Sequence, residues 1–161
     1  MNAIEFAIQM ELEGERYYLE QGEKAQHAGL KAAFDLLATE EREHANLLEN
    51  YAAQASYELR QSRVAEQFGS VFESQQDLQI DFKATPEQID AYKLALEKEK
   101  ESINLYAKMG SEANSEEAKK LFAFLVEQET IHFNAFRELI EYLRKAEQWV
   151  ESAEFGLRED Y

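Results

Sequence analysis

Cysteine is absent from the 161 residues. That excludes disulfides, thiolate-bound zinc, iron–sulfur clusters and an iron–tetrathiolate site. Proline occurs once and glycine six times, so little interrupts a helix and long helices are expected. Cationic side chains are few: 17 Lys and Arg stand against 33 Asp and Glu, a net charge of −16. So acidic a surface repels nucleic acid and anionic lipid, and neither is expected as a partner. Nowhere does the sequence hold the run of about 18 apolar residues needed to cross a bilayer, so no membrane span is expected. The opening stretch MNAIEFAIQMELEGE has no basic run and is interrupted by Glu5, Glu11 and Glu13. It does not read as a signal peptide, and the cytoplasm is the expected compartment.

What is present is a globular balance, with 45% hydrophobic and 31% charged residues, at a length typical of one domain. Apolar residues recur at helical spacing over four long segments: about 3–27, from about 30 to as far as 60, 86–109, and from about 115 to 148. Gly29 marks a short turn between the first two. Thr85-Pro86-Glu87-Gln88 reads as a helix start, with Thr85 as N-cap, Pro86 at the first helical position and Gln88 closing a capping box. Asn114 or Ser115 caps the last segment. Between the two hairpins, about 61–85 forms a crossover in which Val64, Phe68, Val71 and Phe72 could make a short helix. A link of that length must run along a bundle, roughly 40 Å for a helix of about 27 residues. Short, long, short is the connectivity of an all-α, ferritin-like four-helix bundle. The expected domain is 1–148, followed by a 149–161 tail that leaves the helix. Trp149, Phe155 and Tyr161 in that tail are expected to pack on the bundle or on a second copy, and a homodimer is the expected assembly.

The two halves repeat. AIQMELEGERYY from Ala7 lies over ALEKEKESINLY from Ala95, a displacement of 88 that also places Glu11 on Glu99 and Tyr18 on Tyr106. At the same displacement Phe34 meets Phe122, Leu37 meets Leu125, Glu41 meets Glu129 and His44 meets His132. Each carboxylate interrupts an apolar row: Ile4, Ala7, Ile8, Glu11; Phe34, Leu37, Ala38, Glu41; Tyr92, Leu96, Glu99, Ile103; Phe122, Leu125, Val126, Glu129. In a bundle all four rows face the core. Unpaired there, each carboxylate would cost several kcal/mol, and no Lys or Arg recurs in the rows to neutralise it. Two divalent cations would balance four glutamates beside two neutral imidazoles. One Glu from each of two helices plus Glu-x-x-His from each of the other two is the pattern of di-iron and di-manganese carboxylate bundles. Glu13, Glu15, Glu97 and Glu101 flank these positions and are expected on solvated faces, with Glu13 or Glu101 as one-turn alternatives. His27, outside the repeat, is expected at the surface.

In the motifs MELEGERYYLE, EEREH, EKEKESINLY and EQETIH, over residues 3–145, the sequence resembles the rubrerythrin-like branch of the ferritin-like superfamily. The resemblance implies two iron ions, or manganese or zinc, held by Glu11, Glu41, His44, Glu99, Glu129 and His132. Glu41 and Glu129 would bridge, and Glu11 and Glu99 would be terminal. Tyr18 and Tyr106 resemble tyrosines that hydrogen-bond the ligand carboxylates and assist the chemistry. The implied activity is oxidation of Fe(II) by hydrogen peroxide or oxygen, in peroxide or oxygen scavenging. The alternatives are a ferroxidase-like role in iron handling and a metal-stabilised, non-catalytic bundle. Two departures stand out. Full members of the family carry a rubredoxin-like iron–thiolate domain, whereas this sequence has no cysteine, so electrons are expected from a separate donor protein. In addition, Ser102 occupies the position of an extra glutamate used in peroxide chemistry, which implies weak peroxidase turnover.

Overall fold

The computed structural model describes the backbone of residues 1–74 and 85–159 and the side chains of residues 1–73 and 85–145. Among them are five helices and no strand: α1 (Ala3–Lys24), α2 (Ala28–Ala52), α3 (Val64–Ser74), α4 (Pro86–Glu112) and α5 (Glu116–Glu159). The fold is an all-α, ferritin-like bundle. None of its described helices is long and apolar enough to cross a membrane.

Each helix start is set by a side chain that satisfies backbone N–H groups the helix itself leaves open. Asn2 and Glu5 form a capping box on α1, with the Glu5 amide donating to Asn2 Oδ1 at 2.8 Å. Thr85 and Gln88 close the box expected on α4, with Pro86 just inside. At α5 the cap is Ser115, whose Oγ accepts from the Ala118 amide at 3.1 Å. The first turn differs from the sequence reading. Gly29 lies inside α2, and His27 is the cap, its Nδ1 accepting from the Leu30 amide at 3.1 Å. An imidazole nitrogen can serve like an Asp or Ser oxygen there, but histidine is not a usual cap residue, so the pattern gave no cue.

The other end of α2 also departs from expectation, stopping at Ala52 rather than running toward residue 60. Gln54 sits at φ 56°, the Gln54 amide bonds Tyr51 O at 3.1 Å, and the Ala55 amide bonds Asn50 O at 2.8 Å. These two bonds form a Schellman motif, whose left-handed position usually carries glycine. With glutamine there, the stop is hard to see in the sequence. The chain then crosses to α3, which packs on α2 and α5 through Val64, Phe68 and Val71, all buried. Residues 75–84 of the expected 61–85 crossover lie outside the described residues. At the C-terminal end α5 runs unbroken to Glu159, past residue 148 where a tail was expected. Residues 149–159 contain no proline, and good helix formers on either side of Gly156 carry the helix through it. The packing of Trp149, Phe155 and Tyr161 lies outside the described side chains.

The core is split in two. One apolar cluster joins Tyr18, Leu30, Phe34, Tyr92, Phe136 and Leu139 near the α1–α2 turn. The other joins Ala7, Leu48, Tyr106, Leu121, Phe122 and Leu125 near the α4–α5 turn. Along every long helix the buried members of the two clusters are separated by about two and a half to three turns. Those turns carry Glu11, Glu41 and His44, Glu99, and Glu129 and His132.

A left-handed conformation costs a non-glycine residue roughly 1–2 kcal/mol. Gln54→Gly is therefore expected to stabilise the chain by about 1 kcal/mol, and Gln54→Val to destabilise it. Chemical denaturation of both variants measures this, and a destabilising glycine would contradict the motif.

Candidate metal centre

Glu11 and Glu129 are 0% exposed, Glu99 3%, Glu41 4%, His44 5% and His132 0%. The structure brings all six together in the layer between the apolar clusters. The one-turn alternatives Glu13 and Glu101 are exposed, as is Glu97, while Glu15 is half-buried and bonds Arg42. Two overlapping sets of ligand atoms result, each within 4.8 Å of one another: Glu11, Glu41, His44 and Glu129, and Glu41, Glu99, Glu129 and His132. Glu41 and Glu129 belong to both, so they lie where two neighbouring ions would share them.

Helix geometry produces this overlap. Glu and His three apart project from one face, so α2 and α5 each aim a carboxylate and an imidazole inward. His44 Nδ1 lies 2.8 Å from Glu129 Oε1 and 3.5 Å from Glu11 Oε2. His132 Nδ1 lies 3.0 Å from Glu41 Oε1 and 3.4 Å from Glu99 Oε1. The two rings face each other at 5.8 Å, nearly parallel. From the other side, Tyr18 of α1 donates its hydroxyl to Glu99 Oε1 of α4, and Tyr106 of α4 donates to Glu11 Oε1 of α1, both at 2.5 Å. Burial first, then the charges of Glu99 and Glu11 respectively, push both phenols well above their ordinary range, so they stay neutral and keep donating.

Whether metal fits can be judged from the carboxylate oxygens. Glu11 Oε2, Glu99 Oε2 and Glu129 Oε2 are buried with no hydrogen-bond partner. Orphaned buried oxygens are rare in folded proteins, and three on converging carboxylates suit bound cations. Hard oxygen donors with two imidazoles accept iron, manganese or zinc. Packed this closely the carboxylates cannot all stay ionised without a countercharge. Burial, then the charge of Glu11, drives Glu41 well above the usual carboxyl value, and Glu129 rises for the same reasons. Burial also pushes Glu11 up, but the adjacent Glu41 carboxyl and the nearby His44 outweigh it and hold Glu11 at about 2. Burial opposes a charge on His132, yet Glu99 and the bond to Glu40 raise it well above 6.5.

Glu40, Ser62 and Gln128 were not singled out by the sequence reading. Glu40, 6% exposed, lies 2.9 Å from His132 Nε2 and accepts from Ser62 Oγ and from the Arg63 amide. Burial raises Glu40, but the bonds from His132 and Ser62 bring it below 4.5, so it is an ionised carboxylate behind the imidazole. Gln128, 0% exposed, accepts from the Ser62 amide at 2.6 Å and donates to Gln61. The displacement of 88 places Glu40 on Gln128. A polar pair recurring beside the ligands was thus the signal available.

A cavity of about 460 Å³ reaches the site between α1 and α4, lined by Met10, Gly14, Tyr18, Glu41, Glu99 and Ser102 among others. Gly14 and Ser102 are themselves 88 apart, one turn beyond Glu11 and Glu99. A Cβ at Gly14 would stand 3.0 Å from Glu41 Oε2, so any side chain there would push the Glu41 carboxylate by a few tenths of an ångström. Ser102 Oγ donates to Lys98 O at 3.1 Å.

A family model described as Rubrerythrin matches residues 2–140. No curated protein and no solved structure matches the chain.

The proton affinities set the pH behaviour of the metal-free protein. Glu41, Glu129 and His132 bind protons more tightly folded than unfolded. Their contributions are complete below the ordinary values, 4.5 for the carboxyls and 6.5 for the imidazole, and are lost as pH rises toward the folded values. Glu11, Glu40 and Glu99 are held low and act oppositely, below 4.5. The metal-free protein is therefore expected to melt at falling temperature from about pH 5 to pH 8. The Glu41→Gln, Glu129→Gln double variant should decline less steeply. Thermal melts across that range check both, and a melting temperature that climbs with pH would contradict the assignment.

Proposed function

Because the chain belongs to the rubrerythrin family, we propose that its six buried ligands hold two iron ions and that the protein oxidises Fe(II) with hydrogen peroxide or oxygen. The observation that carries this reading is the pair of overlapping ligand sets sharing Glu41 and Glu129. A pair of ferrous ions supplies two electrons, which with two protons reduce one hydrogen peroxide to two waters.

The chain's own residues do the rest. The apolar clusters above and below the layer keep bulk water from the carboxylates. Tyr18 and Tyr106 fix one oxygen each of Glu99 and Glu11, leaving Glu99 Oε2 and Glu11 Oε2 free to ligate. The cavity at Gly14 and Ser102 admits a small oxidant to Glu41 and Glu99. At Ser102 a hydroxyl engaged with a backbone carbonyl replaces the carboxylate expected from the family pattern, and this favours slow peroxidase turnover. With no cysteine for an iron–thiolate relay, electrons come from a separate donor protein. A homodimer is part of the same reading, since Phe6, Leu19 and Leu94 leave apolar side chains exposed on α1 and α4.

A second reading, iron handling, draws on the net charge of −16, which gathers cations at the surface. Stopped-flow absorbance separates the two. The protein is loaded anaerobically with Fe(II), then mixed with hydrogen peroxide or with oxygen. Faster oxidation by peroxide, with continued consumption under added reductant, is the expected outcome. Oxidation with many irons retained per chain would favour storage or transfer. No spectral change with either oxidant would leave only a structural role.

A further inference from the structure

The repeat makes the two ligand sets nearly equivalent, but Gly14 against Ser102 and the surroundings of the two imidazoles break the equivalence. His132 is held from behind: its Nε2 meets Glu40 at 2.9 Å, and Glu40 is itself held by Ser62 Oγ and the Arg63 amide. His44 has no such support. Its Nδ1 faces Glu129 and Glu11, but no described residue bonds its Nε2. Its ring instead lines a cavity of about 260 Å³ with Asn46, Asn50, Tyr57 and Arg60. By the repeat, the residue that would back His44 is Gln128, but that amide is engaged with Gln61 and Ser62.

The crossover causes this difference. A single chain passes across the α2–α5 side of the bundle, and the symmetric positions 40 and 128 both turn to it. Glu40 takes the Ser62 hydroxyl and still reaches His132. Gln128 takes the Ser62 amide and is used up. A carboxylate behind an imidazole fixes its tautomer and ring orientation and makes the inward nitrogen a stronger donor. It also places one buried negative charge directly behind His132.

We propose that the two metal positions are unequal, the one served by His132 binding tightly because Glu40 positions the imidazole, and the one served by His44 binding weakly and exchanging through the cavity beside that ring. Glu40 is a positioning residue, and Ser62 in turn positions Glu40. This rests on the dinuclear reading of the site. The weaker ion is the one taken up last and lost first.

The test is anaerobic titration of the metal-free protein with Co(II), followed by calorimetry and by cobalt absorption. Two Co(II) per chain are expected to bind in two resolved steps. Glu40→Gln is expected to weaken the tighter step by about 10- to 100-fold, the usual cost of losing such a partner, and to leave the weaker step in place. A loosened fold would move both steps alike. His44→Ala is expected to abolish the weaker step only, and in a His132→Ala background Glu40→Gln is expected to have no further effect. If Glu40→Gln fails to fold, Ser62→Ala is expected to give a smaller loss on the same step. Chelator extraction of the loaded protein should be biphasic, one ion per chain leaving first. Two equal steps, or a Glu40→Gln variant that weakens both, would overturn the inequality while leaving the dinuclear site standing. Saturation below two ions per chain would overturn the dinuclear reading itself.

Discussion

Four glutamates share one dry layer, and their mutual repulsion is the constraint on which the remainder of the structure depends. Apart, each could pair with a lysine or arginine, but none of the apolar rows offers one. The layer therefore meets its charge by binding protons or cations, and in either case the surrounding groups must be placed to suit. The tyrosines stay protonated because burial and the adjacent carboxylates raise them. The two imidazoles turn Nδ1 inward. Even the division of the core into two clusters follows, since a layer that carries charge cannot also be apolar.

The internal repeat supplies this layer economically. Each set of ligands draws on both hairpins, so neither hairpin alone has a complete set. The long-range bonds Tyr18–Glu99 and Tyr106–Glu11 are each other's images under the repeat. Departures from symmetry fall at Gly14 against Ser102 and where the single crossover touches the bundle, at Glu40, Ser62 and Gln128. A fold with two-fold character and one connecting strap is bound to treat its two halves differently on the strapped side.

Much of the bundle, and the shared burial of Glu11, Glu41, His44, Glu99, Glu129 and His132, could be read from the sequence, because a carboxylate inside a helical apolar row is conspicuous and a second copy at constant displacement makes it more so. The α4 capping box was legible for a similar reason: Thr, Pro and Gln each stand where their chemistry is strongest. The features missed were those in which an unusual residue does a common job. His27 caps a helix, Gln54 adopts the left-handed turn that ends another, and α5 runs on through Gly156 with no proline to stop it. Glu40 was hidden by its neighbour, since nothing in a Glu-Glu doublet tells that both side chains turn away from solvent. Its partner Ser62 comes from the crossover, which carries no periodic signal of its own.

The phenol bonds between α1 and α4 have a mechanical consequence. The two hairpins are each closed by extensive apolar packing, but α1 and α4 meet at few points, and two hydroxyl–carboxylate rungs tie them across that line. A cleft lies alongside, floored by a glycine and a serine. A third polar link, from the Tyr17 hydroxyl to Ala91 O at 2.6 Å, crosses the same line. The two halves are thus joined here by polar bonds more than by packing, and this is the edge that faces the carboxylates.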